Sequence, residues 1–175
     1  EVAGTTCFRW RGRECRPLAA EERLTVNDAF IRHAGVDLLS TLDDTGRADR
    51  DLLAARSPVR VAVDDSWSDI FSRILSEKVE PCLGQGRLTV LYEYPAVEAA
   101  LARPCPHDPR LAERFELYAC GVELANGFGE LTDAAEQRRR FEAEMDLKQS
   151  RYGERYPLDE DLLAALAMMP PASGV

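Results

Sequence analysis

Residues 113–130 constrain the fold of this chain more than any other stretch. They read Glu-Arg-Phe-Glu-Leu-Tyr-Ala-Cys-Gly-Val-Glu-Leu-Ala-Asn-Gly-Phe-Gly-Glu. Two short runs alternate apolar and polar side chains on either side of Ala119-Cys120-Gly121, the pattern of two strands joined by a tight turn. With Ala119 and Cys120 in the turn, Leu117 faces Val122 and Phe115 faces Leu124, an apolar ladder on one side of the pair. The other side then sets Glu116 opposite Glu123, flanked by Arg114 and Tyr118. Carboxylates directly opposite in a sheet lie ~5 Å apart and repel. Two arrangements relieve this. One is a solvated face with Arg114 as counter-charge. The other is a divalent cation, and Mg²⁺ held by one or two carboxylates plus substrate phosphates is the usual arrangement in ATP sites.

Beyond the second strand, Asn126-Gly127 predicts a tight bend. Phe128 and Glu130 follow two residues apart, so in extended chain their side chains point the same way. Such a pair suits a long cationic side chain, the ring covering methylenes and the acid pairing with an ammonium. The plainer alternative is a core Phe beside a surface Glu.

The flanking segments give the setting. Ser66–Val79 carries Trp67, Ile70, Phe71, Ile74, Leu75 and Val79 at the spacing of one buried helical face, with Arg73, Glu77 and Lys78 on the solvated side. Thr25 is expected to cap a helix over Val26–Ala34 that stops at Gly35, and a second short helix is expected over Ala48–Arg56. Arg87–Tyr94 reads as a strand closed by Pro95. A short helix is expected over Ala96–Ala102, and a long polar one over Ala134–Tyr152 with Asp133 as its cap. At the start, Thr6–Trp10 reads as a short strand and Arg11–Glu22 as a loop. Helices mixed with strands that pair antiparallel predict an α+β fold, an antiparallel sheet flanked by helices.

Charge and cysteine usage narrow the function classes. The 22 Lys and Arg stand against 31 Asp and Glu, a net charge of −9. A surface that acidic repels phosphate backbones and disfavours a nucleic-acid-binding module. The five cysteines (Cys7, Cys15, Cys82, Cys105 and Cys120) are scattered, without a C-x-x-C pair, and read as reduced thiols of a cytoplasmic protein. No apolar run approaches the ~20 residues of a membrane span. The chain begins with Glu1, and it is expected to start inside a longer protein.

The string Arg114-Phe115-Glu116, six residues, Glu123-Leu-Ala-Asn-Gly-Phe128, then Glu130-Leu-Thr-Asp133 resembles the lysine branch of the class II aminoacyl-tRNA synthetases. Within that branch it is most similar to the elongation factor P–(R)-β-lysine ligases, which lack an anticodon-binding domain. That likeness extends through Tyr92-Glu-Tyr-Pro95, Asp133-Ala-Ala-Glu-Gln-Arg-Arg-Arg-Phe141, Pro157–Leu166 and Met169–Val175, with residues 20–80 following only loosely.

The resemblance implies a class II catalytic domain over 1–175, with a mainly helical insertion over 1–84 and the catalytic sheet and helices over 85–175. It implies ATP and Mg²⁺ as cofactors, with Glu116 and Glu123 on the metal. Glu123 and the backbone of Leu124 would lie by the nucleotide, and Phe128 and Glu130 on a lysine-type amino acid. It implies formation of an aminoacyl adenylate, then transfer of lysine or β-lysine to a lysine of elongation factor P, with a homodimer as the common assembly. The F-R-x-E and G-x-x-x-D/E-R motifs, whose arginines hold the ATP phosphates in that family, are absent from the sequence, so the 175 residues alone are expected to be inactive. Two other readings stay open: a lysyl-tRNA synthetase charging tRNA, and a non-catalytic binding module on the same fold.

Overall fold

A computed structural model describes residues 4–99 and 101–175. The strands are β1 (Phe8–Trp10), β2 (Arg13–Arg16), β3 (Glu22–Thr25), β4 (Gly86–Arg87), β5 (Thr89–Pro95), β6 (Pro104–Cys105), β7 (Asp108–Ala119), β8 (Val122–Gly129) and β9 (Ser173–Gly174). The helices are α1 (Val26–Ala34), α2 (Arg50–Arg56), α3 (Trp67–Ile74), α4 (Ala134–Tyr152) and α5 (Glu160–Met168). The main sheet runs β3-β5-β7-β8-β9, with β6 also on β7. It is antiparallel except at the β3–β5 edge, which is parallel. In a small second sheet, β1-β2-β4, β1 lies in the expected strand Thr6–Trp10, but β2 lies within the segment expected to be a loop and pairs back on β1 through the Arg11-Gly12 turn, where both residues have positive φ.

Local chemistry sets the helix ends. Thr25 accepts from the Asp28 amide at 3.0 Å and Gly35 closes α1 in the left-handed region (φ 69°), as the sequence predicts. Asp49 caps α2 through the Leu52 amide at 2.9 Å, so that helix begins two residues later than expected. Ser66 and Asp69 form a reciprocal capping box at α3, a device worth about 1 kcal/mol.

The predicted apolar face of α3 is buried, and Phe71 stacks between Phe30 and Trp67 at centroid distances of 5.1 and 5.3 Å. The helix is not uniform to its end. Leu75–Val79 winds as a π turn, which keeps Leu75 and Val79 in the core and is followed by Glu80. The expected helix over Ala96–Ala102 is a single 3₁₀ turn, Ala96–Glu98; Ala100 lies outside the described residues, and Ala102 bridges Glu130 instead.

The principal core joins one face of the sheet to the helices. Leu91, Tyr94 and Tyr118 pack with Phe30, Ile70, Ile74 and Val79. Each such side chain contributes roughly 1.5–3 kcal/mol on burial. This face carries the candidate site. α4, capped by Asp133 as predicted, is tied to the sheet by Arg140, whose Nη1 donates to the Ala102 carbonyl at 2.9 Å. No described helix is long and apolar enough to cross a membrane. All five cysteines are free thiols.

Candidate functional site

The β7–β8 hairpin forms, but its register differs from the sequence expectation. Ala119 pairs with Val122, so the two-residue turn is Cys120-Gly121 and not Ala119-Cys120. Both turn residues have positive φ (55° and 72°), the demand of a type I′ turn, and Gly121 meets it at the second position without strain. Phe115 therefore does not face Leu124, and Leu117 does not face Val122. Glu123 stands opposite Tyr118, and Glu116 opposite Asn126.

A bulge decides which residues share a face. Tyr118 pairs with Glu123 and Leu117 with Ala125, leaving Leu124 as the extra residue of β8. An unbroken ladder would carry Asn126 and Phe128 to the face opposite Glu116. The inserted residue flips the alternation, so Asn126 falls opposite Glu116 and Phe128 opposite Arg114. One face thus presents Arg114, Glu116 and Tyr118 from β7 with Glu123, Asn126 and Phe128 from β8. Leu124 is exposed at the bulge.

Asn126-Gly127 does not bend the chain as predicted but continues β8. Gly127 is required there because a Cβ would lie 2.7 Å from the Gly174 carbonyl and 2.8 Å from the Phe115 ring. Phe128 packs against Ala99, Ala102 and Ala112 and is paired with Gly174 of β9. The Glu130 carboxylate lies 2.7 Å from the position a Gly174 Cβ would take. Phe128 and Glu130 therefore share a side of the sheet, as their spacing predicts.

Glu116 is buried, only 4% exposed, and both its oxygens are engaged. Arg114 Nη2 donates to Oε1 at 2.8 Å and the Tyr118 hydroxyl to Oε2 at 2.6 Å. Arg114 is itself fixed: Nη1 donates to the Glu98 carbonyl at 2.7 Å, and the guanidinium lies 4.4 Å from the Tyr94 ring centre. Glu80 approaches from the end of the π turn, its Oε1 3.4 Å from the Tyr118 hydroxyl. Partial burial, then the charge of Glu116, pushes the Glu80 and Glu123 carboxyls above their ordinary values. Burial, then its bond to Glu116, raises the Tyr118 phenol, which keeps its proton throughout the physiological range.

Sequence reasoning left Glu80 and Asn126 out of the site and gave Tyr118 only as a residue flanking the two glutamates. Asn126 had a signal, two residues before Phe128, but the Asn-Gly turn preference masked it. Its Oδ1 is buried without a hydrogen-bond partner.

These groups suit an incoming cation only in part. Their donors are hard oxygens crowded by like charge, which a divalent ion relieves. Among the described residues, no group of three or more His, Cys, Asp or Glu is arranged to hold a metal ion by itself. Glu116 and Glu123 are the carboxylates of this face that could share a divalent ion whose shell is completed by oxygens of a ligand.

Residues 50–175 match the family of class II tRNA synthetases (D, K and N). The chain belongs to that family. It is 43% identical over 164 residues to the elongation factor P–(R)-β-lysine ligase of Klebsiella pneumoniae (strain 342), covering 93% of this chain and 49% of the relative. It is 46% identical over 156 residues to the ligase of the same name from Edwardsiella ictaluri (strain 93-146), covering 88% and 47%. The Haemophilus influenzae (strain PittGG) ligase is 43% identical over 166 residues, covering 93% and 48%. The chain spans about half the length of the curated relatives it matches. The mixed sheet-and-helix architecture agrees with the class II synthetase catalytic fold expected from the sequence.

Proposed function

We propose that the protein containing this chain is an ATP-dependent ligase. It activates a lysine-type amino acid as its adenylate and transfers the acyl group to a lysine side chain of elongation factor P. The observation that carries the reading is the bulge at Leu124, which sets Glu116, Glu123, Asn126 and Phe128 on one face of one hairpin. Metal-phosphate and amino-acid groups thereby become neighbours. The names of the relatives support elongation factor P and (R)-β-lysine as acceptor and donor.

In this reading Glu116 and Glu123 hold Mg²⁺ together with the ATP phosphates, and the ion neutralises phosphate charge when bound. Arg114 and Tyr118 keep the Glu116 carboxylate in one orientation. Glu123 stands one bulge residue before the part of β8 that carries Asn126 and Phe128, and Leu124, exposed at the bulge, lies by the nucleotide through its backbone. Phe128 covers the methylenes of the lysine-type side chain and Glu130 pairs with its ammonium. The Asn126 carboxamide, with an unsatisfied oxygen, is positioned to bond a polar group of the substrate. The attacking group is already a carboxylate, so no general base is needed. Catalysis comes from holding the reactants in line.

The deciding experiment incubates the intact protein with Mg²⁺-ATP, lysine or (R)-β-lysine, and either elongation factor P or tRNA. Mass spectrometry of elongation factor P should reveal one added lysine-type residue. Acylated tRNA with unmodified elongation factor P would instead establish the synthetase reading, and no acylation of either would leave a binding module.

A further inference from the structure

We propose that Tyr118 is a positioning residue that fixes the cation-binding carboxylate of Glu116. The inference rests on the reading of Glu116 as a ligand of the metal-phosphate group. A glutamate has three side-chain torsions, and each one left loose spreads its oxygens over several positions. Glu116 has no such freedom, because each of its oxygens accepts from a different donor.

The two donors are not equivalent. Arg114 lies on the side of β8's Phe128, and its guanidinium is already committed to the Glu98 carbonyl and the Tyr94 ring. Tyr118 lies on the other side, its backbone paired with that of Glu123, and its hydroxyl holds the second Glu116 oxygen. Its ring is fully buried in the principal core, which turns a flexible acid into one anchored to the packed interior. The hydroxyl also lies 3.4 Å from Glu80 Oε1 but has a single proton, and the 2.6 Å distance to Glu116 gives that proton to Glu116. A carboxylate oxygen has two lone pairs, so Oε2 can accept from Tyr118 and still face a cation. Partners of this kind orient metal ligands, and their removal typically weakens metal affinity about 10–100-fold.

The test titrates Mn²⁺ into the intact protein in the presence of a non-hydrolysable ATP analogue, with free Mn²⁺ read by electron paramagnetic resonance. Tyr118→Phe should weaken Mn²⁺ binding about 10–100-fold. In a Glu116→Gln background it should produce no further loss, because it acts through Glu116. Weakening by Glu116→Gln with wild-type affinity in Tyr118→Phe overturns the positioning role and leaves the metal reading intact. Wild-type affinity in Glu116→Gln overturns the metal reading itself. If circular dichroism finds Tyr118→Phe unfolded, 3-fluorotyrosine at position 118 keeps the hydroxyl and nearly the same volume. Its fluorine resonance should then move on addition of Mg²⁺ with the analogue, and stay still when Glu116 is Gln. A resonance unmoved in both proteins, or moved equally in both, overturns the proposal.

Discussion

Arg114→Met isolates the electrostatics of the hairpin face. The substitution keeps most of the side-chain volume and the apolar contact with Tyr94, but removes the charge that faces Glu116. The structure sets the magnitude. The Glu116 side chain is 5% exposed and that of Arg114 19%, so solvent screens the pair little. Removing one partner of such a buried pair costs about 3–5 kcal/mol, because the other charge is left without compensation. For a chain of this size each kcal/mol lowers Tm by about 2–4 °C, so a fall of roughly 6–20 °C is expected. Urea unfolding of the purified protein gives the free energy directly. Adding Glu116→Gln to Arg114→Met should recover more than half of the loss, because the stranded carboxylate is then neutral. A loss below about 1 kcal/mol, the range of an exposed pair, or a double variant less stable than Arg114→Met, would show that Arg114 does not compensate a buried Glu116 charge.

Gly127→Ala places a methyl 2.7 Å from the Gly174 carbonyl and should loosen β9 from β8, at about 1–3 kcal/mol. Hydrogen exchange should register this as lost protection of the Glu130 amide, which bonds the Ala172 carbonyl. Asp65 is held down to about 2 by its hydrogen bond from Arg73, with the Ala62 amide adding to it. Its folded value lies below its ordinary one, so its stabilisation is complete above about pH 4 and lost as pH falls toward about 2. Asp65→Asn should remove that part of the acid dependence in unfolding curves measured across this window. In the intact protein, Glu130→Gln should reduce kcat/KM for the lysine-type amino acid at least tenfold, since losing a desolvated charge partner costs about 2–5 kcal/mol. ATP affinity should change little in that variant. Glu123→Gln should instead weaken Mg²⁺-ATP binding, with partial recovery at high Mg²⁺.

The elements that were legible in the sequence are those fixed by local chemistry. Thr25 and Asp133 announce helix starts through side chains that accept from nearby backbone amides, and Gly35 announces a helix end through its ease at positive φ; the structure places them at those ends. The stripe from Trp67 to Val79 predicts a buried face whatever the winding, so the π turn at Leu75–Val79 passed unseen. The hairpin was legible as a hairpin but not in register. Alternation counts residues in twos, and a single bulged residue at Leu124 is invisible to that count. The expected Glu116–Glu123 pair is replaced by Glu123 opposite Tyr118 because the turn falls one residue later, at Cys120-Gly121, although the two acids still share a face. The Asn126-Gly127 bend failed for a tertiary reason: β9 comes from residues 173–174, nearly fifty positions away, and its approach needs a glycine in a straight strand. Glu80 was unreadable for the same reason, since nothing in its neighbourhood signals contact with Tyr118.

The most direct test of the proposed site is ATP–pyrophosphate exchange by the intact protein, with and without Glu116→Gln and Glu123→Gln. Exchange is expected to require Mg²⁺ and a lysine-type amino acid, and to fall at least tenfold in each variant, as expected for ligands that stabilise charge in the transition state. Exchange that proceeds at the wild-type rate in both variants, or no exchange with either lysine or (R)-β-lysine, would contradict the assignment of the hairpin face as the ATP and amino-acid site.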